Sequence, residues 1–486
     1  MSYPGRVLTG DAEFHEMERH IIHKEQGESM KRIFSEMKSL RYALLAFAAT
    51  ALLLGGCSGG GGSDYDAPEI NQTPDGSAYV APQLTVTAPL AGHTQNVLID
   101  AAILKGWMDQ GLVNKAFGSE RVVLLSVSDA TNYGAGHIPE AQLWSTSEQV
   151  MNRVEGPVET VNMVLTGTAM DEMLQKHAID GNTTVVLTAH TGQATFQVGR
   201  AYFLLRYWGF PKERIKVLDG FDSAWTGAGH ALSTVVPAIS RSTFSVCNLP
   251  QFRDDLRGGL SEVIAAVENQ TMQVVDFRAD AMPAATAGVF ADDQDGDGTA
   301  SQAGGDADFV VFEGSMKGTK YYNFGKFLNP DRIAGNADDR RFVTPDVLAA
   351  EFAAVGIDNS KKIISMCRTA MIASVGFLAL DGILGWDAVV YDGSWSQWGS
   401  LSDQVAKGGK LPAGSMWATD VAELMDVVIY NKDAAKLVEP ARVSVPDAAS
   451  PYDAGANNIE ADDREYFEAV PTGPASSTGG GGGGGC

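Results

Sequence analysis

Short apolar runs punctuate the middle of the chain. Those at residues 122–127, 184–187, 272–277 and 362–366 predict buried strands, and amphipathic stretches at about 196–207 and 372–384 predict helices. Strands alternating with helices predict parallel α/β packing. The pattern also repeats. In the first copy the opening strand is followed by Gly136-His137-Ile138-Pro139, then by the second strand and the loop Ala189-His190-Thr191-Gly192. In the second copy the opening strand is followed by Gly314 to Gly318, then by the second strand and the loop Cys367-Arg368-Thr369-Ala370. Gly136 to Ala189 and Gly314 to Cys367 are both separations of 53 residues. The folded part is therefore expected as two α/β domains, each a parallel sheet flanked by helices, over residues 91–235 and 245–425.

The ends of the chain read differently. Residues 42–54 are an uncharged apolar run preceded by Lys31, Arg32, Lys38 and Arg41, and Leu54-Gly55-Gly56-Cys57 follows. A basic region, an apolar stretch short for a membrane span, and a small-residue stretch ending in cysteine predict a signal peptide over 1–56 with lipid attached at Cys57. The polar preface before the basic region points to a translation start at Met30 or Met37. Residues 57–90 are rich in Gly, Ser, Pro and Asp and predict a flexible linker. From 430 onward apolar periodicity fades among prolines, and seven glycines precede Cys486. A flexible acidic tail over 430–486 is expected, with Tyr452 or Phe467 as its candidate contacts with the core.

The chain has 486 residues, a formal net charge of −24, and 44% apolar and 20% charged residues. This is globular composition, and the acidic balance argues against a nucleic-acid partner, which needs a basic patch. The four cysteines, 57, 247, 367 and 486, form no CxxC pair and no disulfide framework, so each has to be explained singly. Cys247 reads as a structural thiol in the interdomain linker.

These residues resemble the rhodanese family, specifically tandem-domain sulfurtransferases. GHIPEA at 136–141, Asp276-Phe277-Arg278, the Cys367-Arg368-Thr369 loop and YDGSWSQWG at 391–399 carry the resemblance. It implies a degenerate N-terminal domain and a catalytic C-terminal one. The sequence agrees with that division, with Ala189 at the cysteine position and Ser126 and Ser128 in place of the Asp-x-Arg pair. It implies Cys367 as a nucleophile that carries sulfane sulfur as a persulfide, with no cofactor required. Arg368, Thr369, Ala370, Met371 and Ile372 are implied to bind a small anionic donor such as thiosulfate, and a thiol or protein to accept the sulfur. Asp276, Arg278 and Trp395 are expected to support the site, with Arg278 paired to a nearby carboxylate.

A thiolate between a buried strand and a helix N-terminus is expected to have a lowered pKa, because loop N–H groups and the helix dipole favour negative charge there. The loop departs from thiosulfate-handling members, with Thr369 in place of a second cation and with Ala370, Met371 and Ile372 in place of glycine and small residues. The pocket is thus expected to be less cationic and more apolar. The second copy contains no histidine, which excludes a Cys–His pair within it. His137 is expected to fix its own loop, and His190 to be within reach of the interdomain cleft.

Asp293, Asp295 and Asp297 alternate before Gly298, either as a structural calcium loop or as a solvated acidic loop. Cys486, on its glycine arm, is a candidate sulfur relay. A lipid anchor would place the protein in the cell envelope, with the outer membrane as the default because Ser58 follows Cys57. The resemblance leaves a second reading, a non-catalytic lipoprotein that docks partners at an outer-membrane electron-transfer complex.

Overall fold

The computed structural model describes residues 97–116, 118, 120–155, 158–278, 316, 318–328, 340–402 and 458–469. The expected signal peptide and linker, Cys57, Asp293, Asp295, Asp297, Gly314 and Cys486 lie outside the described residues. No helix among the described residues is long and apolar enough to cross a membrane.

In the N-terminal half, chain order gives β1 (Leu98–Ile99), α1 (Ala101–Asp109), β2 (Arg121–Ser128), α2 (Ala130–Ala135), β3 (Gln142–Ser145), β4 (Met151–Glu155), β5 (Val158–Met163), α3 (Gly167–Lys176), β6 (Thr183–Thr188), α4 (Thr195–Tyr207), β7 (Ile215–Leu218) and α5 (Phe221–Gly227). The C-terminal half continues with β8 (Arg257–Gly258), α6 (Leu260–Asn269), β9 (Gln273–Asp276), β10 (Lys320–Tyr321), α7 (Pro345–Ala354), β11 (Ile363–Met366), α8 (Met371–Phe377), β12 (Ala388–Tyr391) and α9 (Ser394–Ser402). A last helix, α10, spans Asn458–Glu468.

The first sheet has the order β1-β7-β6-β2-β3 and the second β8-β12-β11-β9-β10, with every pairing parallel. The two orders correspond strand for strand, so the repeat in the sequence is a repeat of topology. Central strands of a parallel sheet are covered on both faces and therefore read as continuous apolar runs rather than alternating ones. All eight residues of β2, all six of β6 and all four of β11 are buried.

The halves share one core. Along α4, Val198 and Phe203 are buried in the same apolar cluster as Val375 and Phe377 of α8. Phe203 meets Phe377 edge to face, with ring centroids 5.4 Å apart. The approach is close enough that a Cβ added to Gly199 would fall 2.5 Å from the backbone of Val375. The helix expected over 372–384 is α-helical only to Phe377; Leu378–Leu384 continues as a π-helix. Within this wider turn lies Asp381, which accepts hydrogen bonds from Tyr202 and Arg206 of α4.

Within the segment expected as a flexible tail, α10 is docked; of the two candidate contacts with the core, Phe467 packs there and Tyr452 lies outside the described residues. Ile459 and Asp463 are buried, Tyr466 and Phe467 pack on the core, and Asp463 pairs with Arg153 at 2.7 Å and accepts from Tyr207 at 2.8 Å. The overall polarity of this helix hid its apolar stripe. Ile459, Tyr466 and Phe467 are spaced to share one helical face. Cys247, expected as a linker thiol, donates its Sγ–H to the carbonyl of Tyr466 at 3.1 Å.

Candidate active site

β11, the central strand of its sheet, delivers Cys367 just past its C-terminal end, and Ala370 turns the chain into α8. Ala370 sits at φ 63°, a left-handed conformation that favours glycine. Two serines lash the turn together. Ser365 donates to the carbonyl of Ala373 and Ser374 to that of Ala370, both at 2.7 Å.

The loop takes its shape from the start of α9. The Ser394 hydroxyl oxygen accepts from the backbone N–H groups of Cys367 (3.3 Å) and Ala370 (3.1 Å) and donates to the carbonyl of Tyr391 (2.8 Å). The N–H groups of Trp395 and Ser396 donate to the carbonyls of Cys367 and Arg368 at 3.0 and 2.9 Å. With those carbonyls drawn toward α9, the N–H groups of Thr369 and Ala373 interact with the Cys367 sulfur. Ser394 lay inside the motif read for Trp395, and its place at a turn before a helix was the available signal.

Cys367 is only 1% exposed. Burial pushes its thiol above the usual value, against the N–H groups of Ala373 and Thr369, which favour the thiolate. This corrects the expectation of a lowered pKa. Desolvation of the charged form outweighs two backbone donors, and two other loop N–H groups are already engaged by Ser394.

Arg278 donates through Nε to both carboxylate oxygens of Asp276, at 3.0 and 2.8 Å, and its backbone N–H also donates to that carboxylate. Both residues are buried, and the guanidinium lies 6.0 Å from the ring of buried Trp395. Trp395 thus forms the floor beneath the ion pair.

Cys367 opens on a cavity of about 380 Å³. Arg278, Arg368, Thr369, Met371 and Ile372 line it from the C-terminal half. Ala370 is buried and does not line it. The opposite wall comes from the N-terminal half, which sequence reasoning did not assign to the site. Thr146, Ser147 and Val150 follow β3, Asn162 is the next-to-last residue of β5, and Phe196 and Gln197 lie in the first turn of α4. No linear spacing signals these residues, because the contact depends on how the halves pack. Asn162 is held at φ 59°, with its carbonyl accepting from Arg200, which in turn pairs with Asp392 at 2.7 Å.

The corresponding place in the N-terminal half has no nucleophile. Ala189 is buried at the cysteine position, its carbonyl accepts from the N–H of Asp222, and Ser128 accepts from the N–H of His190. Arg340 reaches across to donate to the carbonyls of Thr191 and Gln193. His190 turns its Nδ1 to the N–H of Gly192 and does not line the Cys367 cavity. His137 is buried, stacked on Tyr133 at 3.8 Å, with its ring nitrogens against the carbonyls of Tyr133 and Val235. Among the described residues no group of three acidic, histidine or cysteine side chains could hold a metal ion.

No family model matches the chain. A putative thiosulfate sulfurtransferase of Haloferax volcanii is 24% identical over 318 residues, 64% of this chain and 95% of that protein. A sulfur carrier protein of Thermus thermophilus is 26% identical over 286 residues, 58% of this chain and 88% of that protein. Among solved structures, the anaerobic ergothioneine biosynthesis enzyme from Chlorobium limicola superposes with a TM-score of 0.46 at 18% identity, covering 64% of this chain and 70% of that one. The two curated relatives are matched over nearly their whole length.

Proposed function

We propose that the protein transfers sulfane sulfur through a persulfide on Cys367. The observation that carries this reading is the position of Cys367: a buried thiol at a strand–loop–helix junction, opening on a cavity, with the N–H groups of Thr369 and Ala373 interacting with its sulfur. The names of the relatives agree with it.

In the first half-reaction the Cys367 thiolate attacks the outer sulfur of a donor such as thiosulfate. A new S–S bond forms, the donor's S–S bond breaks, and sulfite leaves with the bonding pair. In the second, an acceptor thiolate or cyanide attacks the terminal sulfur, and Cys367 departs as thiolate. Neither half-reaction requires an outside oxidant or reductant. Arg368 and the loop N–H groups stabilise the anionic donor and the persulfide, as preorganised donors do at developing charge.

A thiosulfate:cyanide assay tests the proposal. Wild type should form thiocyanate and Cys367→Ser should fall to background; turnover that survives the substitution sinks the assignment. We further propose that the enzyme works in the cell envelope, tethered by lipid on Cys57, on the strength of the basic and apolar pattern before that residue. Intact-mass analysis of membrane-extracted protein checks this. A mature chain beginning at acylated Cys57 supports it, and an unprocessed or unlipidated chain refutes it.

A further inference from the structure

The loop of the N-terminal half that carries no nucleophile holds a cation instead. Arg340, from the C-terminal half, donates through one terminal nitrogen to the carbonyl of Thr191 (2.7 Å). Through the other it donates to the carbonyl of Gln193 (2.8 Å) and the hydroxyl of Thr195 (3.2 Å). Its guanidinium also lies 5.3 Å from the ring of Phe221. A half-buried guanidinium loses solvation, and acceptors set at both of its terminal nitrogens offset that loss. The polarity is the reverse of that in the Cys367 loop, where the N–H groups of Thr369 and Ala373 interact with the sulfur. Thr191 and Thr195 stand at the same distances along the chain from Ala189 as Thr369 and Ala373 do from Cys367.

Thr195 is the first residue of α4, and α4 begins without a capping side chain, because its N-cap is Ala194. Helix ends fray, and an end that lacks a cap does so more readily. The first turn of α4 nevertheless carries Phe196 and Gln197 into the wall of the Cys367 cavity, and Phe196 meets Phe324 edge to face at 6.2 Å. We infer that Arg340 is a positioning residue: it reaches from the C-terminal half to the loop before α4, fixes the first turn of that helix, and so holds the wall opposite Cys367. The inference rests on the sulfur-transfer reading above. Arg340 is not among the residues that line the cavity, so its effect on donor binding passes through Phe196 and Gln197.

The test removes the guanidinium and returns it as a small molecule. In Arg340→Ala, amide hydrogen exchange over residues 190–197 should quicken. Its kcat/KM for thiosulfate should fall about tenfold, within the range that a small misplacement of a positioning group costs. Most of that loss should be in KM, because Cys367 and its loop are unaltered. Methylguanidinium, added well below denaturing concentrations, should return exchange and KM toward wild type, and sodium ion at the same concentration should not. Thr195→Val removes one acceptor and keeps the shape of the side chain. It should reproduce the faster exchange in part, and should add nothing further on top of Arg340→Ala. Thermal melts establish that the variants are folded. Exchange and KM unchanged in both single variants, or a defect that methylguanidinium leaves in place, overturns the inference; if Arg340→Ala does not fold, wild-type exchange in Thr195→Val overturns it alone. If Cys367→Ser turns over thiosulfate like wild type, the sulfur-transfer reading itself has failed, whereas hydrogen exchange and its rescue are read without turnover and judge the Arg340 contact independently.

Discussion

At the scale of single residues, the reactivity of Cys367 is a contest between burial and backbone donors, and burial prevails. The thiolate is the attacking species, so the rate of persulfide formation should follow its fraction. With the thiol held above its usual value, that rate should still be rising as pH passes the ordinary cysteine value of about 8.5. Rapid-mixing measurements of persulfide formation against pH check this; a plateau already reached below pH 7 would contradict it. Ser394 is the second residue of consequence. Ser394→Ala removes the acceptor for two loop N–H groups, and a buried unsatisfied donor costs about 1–3 kcal/mol. The variant should unfold at lower denaturant and form persulfide more slowly.

The residue scale also shows where sequence reasoning stops. Cys367, Arg368 and the Asp276–Arg278 pair are legible because they sit in one copy of the repeat at fixed spacing. The direction of the Cys367 pKa shift was not. Spacing reveals a helix N-terminus but not how deeply the sulfur is buried, nor that Ser394 engages two of the loop N–H groups. Gln197 and Asn162 were invisible for another reason: they join the site only through packing between the halves.

Among the elements, the central strands were readable because parallel strands covered on both faces leave long apolar runs, whereas their order in the sheet was not. Nor was the π-turn after α8, since its residues are as apolar as those of an α-helix. α4 and α8 meet at a tight seam. Gly199→Ala would push a methyl group against the backbone of Val375, and overpacking of this kind costs about 1–3 kcal/mol. Equilibrium denaturation should register that loss, and Cys367 chemistry should weaken with it, because Phe196 and Gln197 on the same helix line the cavity. Unchanged stability would mean that the helices are not packed this closely.

For the molecule as a whole, a buried polar network joins both halves and α10. Arg257 pairs with Glu155 at 2.9 Å, with Glu460 at 2.5 Å and with Asp392 at 3.4 Å, while Arg200 reaches Asp392 from the N-terminal half. Arg200→Met would leave the buried Asp392 carboxylate only the longer Arg257 contact as an ion pair, so the variant should unfold at lower denaturant, by up to about 3–5 kcal/mol. Burial pushes Glu460 up to about 7, and its Oε2 has no partner among the described residues. The folded state therefore holds a proton that the unfolded chain releases near the ordinary value of 4.5. Between those values the native state binds more protons, so this group's contribution to stability falls as pH rises. Glu460→Gln should flatten stability between pH 5 and 8, as read by denaturant titrations at each pH; a slope identical to wild type would exclude Glu460 as its source.

The central claim is that Cys367 carries the sulfur. Peptide mass spectrometry after brief treatment with a sulfane-sulfur donor, with cysteines capped, tests it most directly. One added sulfur is expected on the peptide containing Cys367, to be lost when cyanide is added. An unmodified Cys367 in protein that still turns over the donor would contradict it.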